Sequence, residues 1–412
     1  MTEQIEILKS LLQPFAQFWW IILPVAFYKL FFILWDDFVK DTWAGSREWT
    51  MIELITPKEL EKGPKPMEAV YHGLMGVTTT YHAIEEFVYG MDTDKFSFEL
   101  VGLGGEVHFY IRVQRRYRTY LESQIYGQYP GAEISEVPDY MQNFPKIAPN
   151  RDWNLWGSDM VLINEDVIPI RTYDKFEEDI TGTMIDPLAS FIELYSTLPL
   201  GQNMLLQFVI KPLGESWSKG KNKIIEKLAG RISSASKGIM QHLLEVFTHL
   251  PAALFGLVEF PAEAKKEQQP LAFRLTPGEQ ERIKAIEENL GKNMFKVKAR
   301  FVYIGKREGF DMANVSGFFG AMRQFGDLNL NGFKPDNTKT AANFVATDSR
   351  AAAMKRRIFN RYRKRNTDGN NIILSSSELA TVYHLPDMGV MTPALPRVES
   401  KKGTAPANLP IG

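Results

Sequence analysis

The chain contains no cysteine, which excludes disulfide cross-links, thiolate metal sites and a cysteine nucleophile together. It also lacks a surplus of either charge, with 48 Lys and Arg against 49 Asp and Glu in 412 residues. Such a molecule has no global field to draw it to nucleic acid or lipid, so any binding of that kind must come from a local patch. Hydrophobic residues at 44% and charged residues at 24% make an ordinary globular balance, neither disordered nor polytopic. The length implies two or three domains.

One long apolar run is present. Residues 16–35 read AQFWWIILPVAFYKLFFILW, and as a helix they would rise roughly 30 Å, the thickness of a bilayer's hydrocarbon core. Trp19 and Trp20 lie near one end and Trp35 at the other, followed by Asp36 and Asp37, as for aromatic rings at two interfaces. Pro24 and Lys29 oppose the reading; a mid-helix lysine costs about 2.5 to 3.5 kcal/mol on insertion scales. The preceding flank holds Glu3, Glu6 and only Lys9, unlike a cleavable signal. The expectation is an uncleaved N-terminal segment, 1–45, with a transmembrane helix over 16–35. Lys9 on one side and Lys40 and Arg47 on the other leave its orientation undetermined. A buried or interfacial helix is the alternative.

The remainder reads as α+β. A strand at 50–55, a helix from Met67, strands at 96–101 and 107–113, a helix over 115–126 and a strand at 132–137 follow the order βαββαβ, a ferredoxin-like unit over 48–140. In the second hairpin strand Val107, Phe109, Ile111 and Val113 alternate with His108, Tyr110, Arg112 and Gln114, one face apolar and one polar. The same order recurs over 155–335: strand at 160–171, helix at 186–198, strands at 204–210 and 295–303, helix at 312–325, and a strand near 328–333. There Phe295, Val297, Ala299 and Phe301 are expected to face inward, and Lys296, Lys298 and Arg300 outward. The expected fold is an N-terminal transmembrane helix followed by two ferredoxin-like domains, the second carrying a helical insertion at 214–292. A basic helix with a strand and helix cap fills 336–385. A Pro-rich extended tail occupies 386–412.

No catalytic constellation can be assembled. GESWSKGKN at Gly214 to Asn222 follows a strand as a phosphate-binding loop would, but its spacing is too long by one and Asn222 stands where a hydroxyl would hold magnesium. GLGGE at 102–106 joins two strands and is a hairpin turn. His242, Glu245 and His249 lack the further ligands of a metal site. Thr276 to Glu279 is a capping-box helix start. No metal and no cofactor is expected, and the chain reads as not an enzyme.

One local positive patch stands out on this neutral chain. In AAAMKRRIFNRYRKRN, Lys355, Arg356, Arg357, Arg361, Arg363, Lys364 and Arg365 crowd a helix, with Phe359 and Tyr362 interleaved. The cations could meet phosphates of DNA, anionic lipid or an acidic partner, and the aromatic rings could stack. Equally, Ile358, Phe359 and Tyr362 could pack on the domain with the charges in water. In the tail, Ser377 is expected to cap a short helix from Glu378 to Tyr383. The prolines beyond keep the chain extended, leaving Lys401, Lys402, Leu409 and Ile411 for a partner.

Several strings are similar to one family when taken together: FSFELVGLGGEVHFYIRV at 96–113, ESQIYGQYPGAEISEVPDY at 122–140, LNGFKP at 330–335, ILSSSELATVYHLPD at 373–387 and the tail RVESKKGTAPANLPIG. They resemble the N-terminal, membrane-anchored platform region of conjugative type IV secretion coupling proteins of uncultured small-genome bacteria. In those proteins the region leads into a DNA-translocating motor ATPase. The resemblance implies a platform or adaptor subunit of a DNA-transfer machine. It would act with a motor ATPase in trans through the tail, sit at a bacterial inner membrane by a single pass with its other domains cytoplasmic, contact lipid and DNA, and form a homo-oligomeric ring. The competing readings are a membrane-associated structural scaffold unrelated to DNA transfer and a cryptic nucleotide-binding enzyme.

Overall fold

The structure is a computed structural model that describes residues 2–58, 60, 63–78, 81–176, 185–214, 277–337, 340, 347–390 and 392–398. In chain order its elements are α1 (Thr2–Gly45), β1 (Trp49–Pro57), α2 (Lys65–Leu74), α3 (Ala83–Tyr89), β2 (Phe96–Leu103), β3 (Glu106–Gln114), α4 (Arg118–Gln128) and β4 (Glu133–Val137). There follow β5 (Trp153–Leu162), α5 (Ala189–Ser196), β6 (Gln202–Pro212), α6 (Pro277–Leu290), β7 (Met294–Lys306), α7 (Ala313–Met322), β8 (Phe333–Pro335), α8 (Thr347–Lys364), β9 (Ile372–Ser375), α9 (Ser376–Val382) and β10 (Arg397–Val398). Two compact units result. Residues 1–49, 79–94 and 114–116 belong to the first, and the other described residues to the second.

In the first unit α1 packs against α3. Phe32 stacks on Phe87 with ring centroids 5.1 Å apart, and Trp35 Nε1 donates to the Phe87 carbonyl at 2.8 Å. Lys40 pairs with Asp36 one turn back at 2.6 Å. Among the described residues no helix is long and apolar enough to cross a membrane. The expected transmembrane helix over 16–35, and the single-pass inner-membrane location built on it, are corrected accordingly. The flank that carries Phe32 and Trp35 meets protein, and the apolar run is one part of a longer helix that includes Lys29, Asp36 and Lys40.

Gly90 ends α3 in the left-handed region, φ 63°, and a Cβ there would lie 2.3 Å from the Val39 carbonyl carbon and oxygen. Both constraints exclude a side chain. Gly90→Ala is expected to separate α3 from α1 at a cost of about 2 kcal/mol or more. Hydrogen exchange of the α3 amides checks this, and unchanged protection would refute it.

The second unit is built on one ten-stranded sheet of order β10-β1-β3-β2-β6-β7-β5-β8, with β4 also on β1 and β9 also on β7. The β2–β3 hairpin turns through Gly104 and Gly105, φ 57° and 101°, the two positive values that a tight two-residue turn requires. The expectation of two separate ferredoxin-like domains is corrected by one pairing. Strands β2 and β6, which separate domains would leave as exposed edges, pair antiparallel from Phe96↔Ile210 to Leu103↔Asn203. Edge strands are templates for further pairing, and here each edge satisfies the other. Of the expected helical insertion at 214–292, α6 lies among the described residues. Residues 215–276, which hold most of the Gly214 to Asn222 loop together with His242, Glu245, His249 and Thr276, lie outside them.

Both faces of the sheet are covered. On one, Phe98, Phe208, Ala299 and Phe301 pack under α2, α4, α5, α7 and α9 through Tyr71, Leu121, Phe191, Phe318 and Leu379. Phe301 and Phe318 stack with centroids 3.5 Å apart. On the other, Val101, Leu205, Val302 and Ile304 pack under Ile358, Phe359 and Tyr362 of α8, together with Tyr140 and Phe144. Full burial of such side chains stabilises by roughly 1.5–3 kcal/mol each. The short helix α9 is capped by Ser375, not Ser377: its side chain accepts from the Glu378 amide, and Glu378 reaches back to the Ser375 N–H at 2.8 Å. Ser377 sits inside the helix.

Candidate functional site

A row of polar side chains crosses the centre of the α8-covered face. Glu99 of β2 is registered with Gln207 of β6, Gln207 with Arg300 of β7, and Arg300 with Asp159 of β5. All four are fully buried. Their registered positions and the period-2 alternation of side chains put all four on one face.

Burying charge without a partner is costly, and here each charge has one. Arg300 Nε donates to Asp159 Oδ1 at 2.7 Å, and its Nη1 to Gln207 Oε1 at 3.1 Å and to the Arg361 carbonyl at 3.0 Å. Its Nη2 donates to the Asn366 carbonyl at 3.2 Å. Lys298 Nζ lies 2.9 Å from Asp159 Oδ2 and donates to the Asn370 carbonyl at 2.8 Å. At the other end of the row Arg365 Nε donates to Glu99 Oε1 at 2.9 Å and Nη2 to Oε2 at 3.1 Å. The same guanidinium donates to both oxygens of Asp139, at 2.6 and 2.9 Å. Ser97, Tyr140 and Gln207 also donate to Glu99.

These contacts move protonation equilibria. Burial pushes the Glu99 carboxyl upward, but Arg365 and the hydrogen bonds from Arg365, Ser97 and Tyr140 outweigh it and hold it below the usual carboxylate range. Asp139 is held low in the same way, with burial opposed by Arg365 and the Met141 amide. Burial lowers Lys298, and Asp159 recovers only part of the shift.

Arg365 also ends α8. Its N–H bonds to the Tyr362 carbonyl at 3.0 Å and that of Asn366 to the Arg361 carbonyl at 3.0 Å, the paired bonds of a Schellman stop. The position after such a helix end is usually glycine, yet Arg365 sits there at φ 50°. A left-handed non-glycine residue costs roughly 1–2 kcal/mol, and the bidentate contacts to Glu99 and Asp139 hold it there.

The seven cations read from the sequence therefore divide. Arg365 is buried, and Arg361 turns one nitrogen to within 3.8 Å of Asp159. Arg363 donates to the Pro145 and Lys146 carbonyls and lies over the Phe359 ring at 4.8 Å. Lys355 donates to Asn154 at 2.8 Å. Phe359 and Tyr362 are core residues, and Tyr362 meets the Tyr140 hydroxyl at 2.8 Å. Arg356, Arg357 and Lys364 are exposed, and at 100° per residue they share the outward side of α8. Lys401, Lys402, Leu409 and Ile411 lie outside the described residues, while the tail up to Val398 is held on the second unit by the parallel β1–β10 pairing.

A family model described as Domain of unknown function (DUF8128) matches residues 40–397. The chain belongs to that family. No curated protein matches it. The matched span contains Glu99, Asp139, Asp159, Gln207, Lys298, Arg300 and Arg365, so the charged row and its helix lie within the DUF8128 domain. Of the strand members of this row the sequence singles out only Arg300, expected with Lys298 to face outward; both are buried. For Glu99 in FSFELVGL and Gln207 in MLLQFVI the available signal is a single large polar residue flanked by apolar ones, whereas Asp159 follows Ser158 and Arg300 follows Lys296 and Lys298, which blurs theirs.

Proposed function

We propose that this DUF8128 protein is a non-catalytic platform or adaptor subunit of a type IV secretion-like DNA-transfer machine, working with a motor ATPase in trans and assembling with further copies of itself. The observation that carries the reading is the clamped basic helix. The Arg361 carbonyl and the Arg365 side chain fasten α8 to the sheet and Arg363 ties it to the Pro145 and Lys146 carbonyls, and Arg356, Arg357 and Lys364 are displayed on a surface that is fixed in place. A pre-ordered row of cations spends little entropy on meeting a phosphate backbone. The strings that resemble coupling-protein platforms support the same reading.

The test is DNA binding against salt. The intact chain is expected to bind duplex DNA weakly and without sequence preference, and Arg356→Glu with Arg357→Glu should weaken it on every sequence. The slope of log K against log salt should also flatten by about two, one per lost phosphate contact. Because neither residue belongs to the clamp, stability should be unchanged. An unaltered slope would sink the DNA reading.

A second reading, a structural scaffold unrelated to DNA, is favoured by the first unit. Trp20, Leu23, Phe27, Leu30 and Leu34 of α1 are each 44 to 63% exposed and recur at alternating spacings of three and four, which places them on one stripe. Apolar surface on that scale marks an interaction site.

A further inference from the structure

The first unit contains a cavity of about 320 Å³ lined by Ser46, Arg47, Glu48, Gln114, Arg115 and Arg116. Its arginines are held in different ways. The Arg47 guanidinium lies over the Trp43 ring at 4.7 Å, and Arg116 Nη2 donates to Asp94 Oδ2 at 2.5 Å. Arg115 has an exposed side chain, and its backbone N–H is tied to the Glu48 carbonyl at 2.9 Å.

Two atoms of this lining are buried and make no hydrogen bond: the donor Arg47 Nε and the acceptor Gln114 Oε1. Gln114 is 2% exposed. Its amide cannot turn over to relieve the orphan, because Nε2 donates to Asp94 Oδ1 at 2.6 Å and a flip would set oxygen against carboxylate. A buried orphan pays its full desolvation cost, and a native structure keeps such groups where something else satisfies them.

From this geometry we infer that the cavity is a phosphomonoester site. An oxyanion accepts from Arg47 Nε and from the Arg115 guanidinium, the donor type suited to bidentate phosphate recognition. The second orphan narrows the class, since Gln114 Oε1 needs a proton donor on the same ligand. A phosphomonoester, whose second pKa is about 6, carries a P–OH beside its charged oxygens. Sulfate and a phosphodiester carry acceptors only at the same pH. Glu48 in the lining repels a fully deprotonated ligand and favours the protonated form.

The experiment is calorimetric titration of the full chain at pH 6 with inorganic phosphate and with sulfate at matched ionic strength. In parallel, the chain is sedimented with phosphatidylcholine vesicles with and without phosphatidic acid, whose headgroup is a phosphomonoester. Phosphate is expected to bind about tenfold or more tightly than sulfate, a difference of about 1.4 kcal/mol. Arg47→Gln with Arg115→Gln should abolish the binding, and Gln114→Leu should erase the preference for phosphate. Circular dichroism verifies that each variant is folded. The double arginine variant carries the test if Gln114→Leu does not fold. Binding to inorganic phosphate identifies a soluble source, and binding confined to phosphatidic acid vesicles identifies a lipid headgroup; either supports the site if the arginine variant loses it. Equal affinity for phosphate and sulfate, binding in neither arm, or binding unchanged in the arginine variant overturns it.

Discussion

Glu99→Ala is expected to destabilise the second unit by about 3–5 kcal/mol, because it leaves the buried Arg365 guanidinium with half of its carboxylate partners and removes the carboxylate to which Ser97 and Tyr140 donate. Urea unfolding measures the loss. Arg365→Ala should cost a comparable amount, since alanine keeps the Cβ and therefore the strain at φ 50° while losing the contacts that hold it. Glu99→Leu combined with Arg365→Met should recover much of the loss, since neither charge of the pair is then buried alone and Asp139, which loses Arg365, keeps partial access to water. If the double variant were as unstable as the single ones, the pair would matter as backbone geometry and not as matched charge. The pH dependence has a definite sign. Glu99 and Asp139 are both held below their ordinary range, so their contribution is present above the unfolded carboxylate values near 4 and is lost as pH falls through the lower folded values. In Arg365→Ala that acid-side loss should shrink, because the cation that depresses both groups is gone.

Asp159→Asn is expected to be nearly as damaging, at about 3–5 kcal/mol. The carboxylate lies between Arg300 at 2.7 Å and Lys298 at 2.9 Å, and all three side chains are fully buried. An amide of the same shape keeps the volume but leaves two buried cations facing each other, so the effect isolates charge from packing. Lys298 is already lowered by burial; without Asp159 it should fall further and bind its proton less tightly in the folded state than in the unfolded. The variant should therefore gain stability relative to wild type as pH rises through the folded lysine value, the sign set by a depressed basic group. A variant no less stable than wild type at pH 7 would show that the carbonyls of Arg361, Asn366 and Asn370 suffice to hold the cations.

Much of the secondary structure was legible because periodicity reports which side chains share a face. The β2–β3 hairpin lies where alternation and its glycines place it, and β7 extends the strand read from Phe295 to Tyr303. What alternation could not report was the environment of the second face. Lys298 and Arg300 were read as solvent-facing, yet α8 covers them. The covering helix is itself so rich in charge that its composition suggested an exposed surface. Pairing between β2 and β6 was equally hidden, because a buried edge and a central strand have the same apolar composition. The cavity around Arg47 and Arg115 joins residues far apart in the chain through a turn after α1 and the end of β3, and local spacing carries no trace of it.

The pairing of β10 with β1 sets an order of events during synthesis. Arg397 reaches the Lys58 carbonyl across 339 residues of chain, and the neighbouring register joins Thr56 to Arg397. At about 5–20 residues per second, roughly 20 to 70 s pass between emergence of the first strand and of the one that covers its end. Over that interval the end of β1 is an open template of the kind that invites pairing with another chain, so slower translation of the C-terminal third should raise the fraction of protein that aggregates.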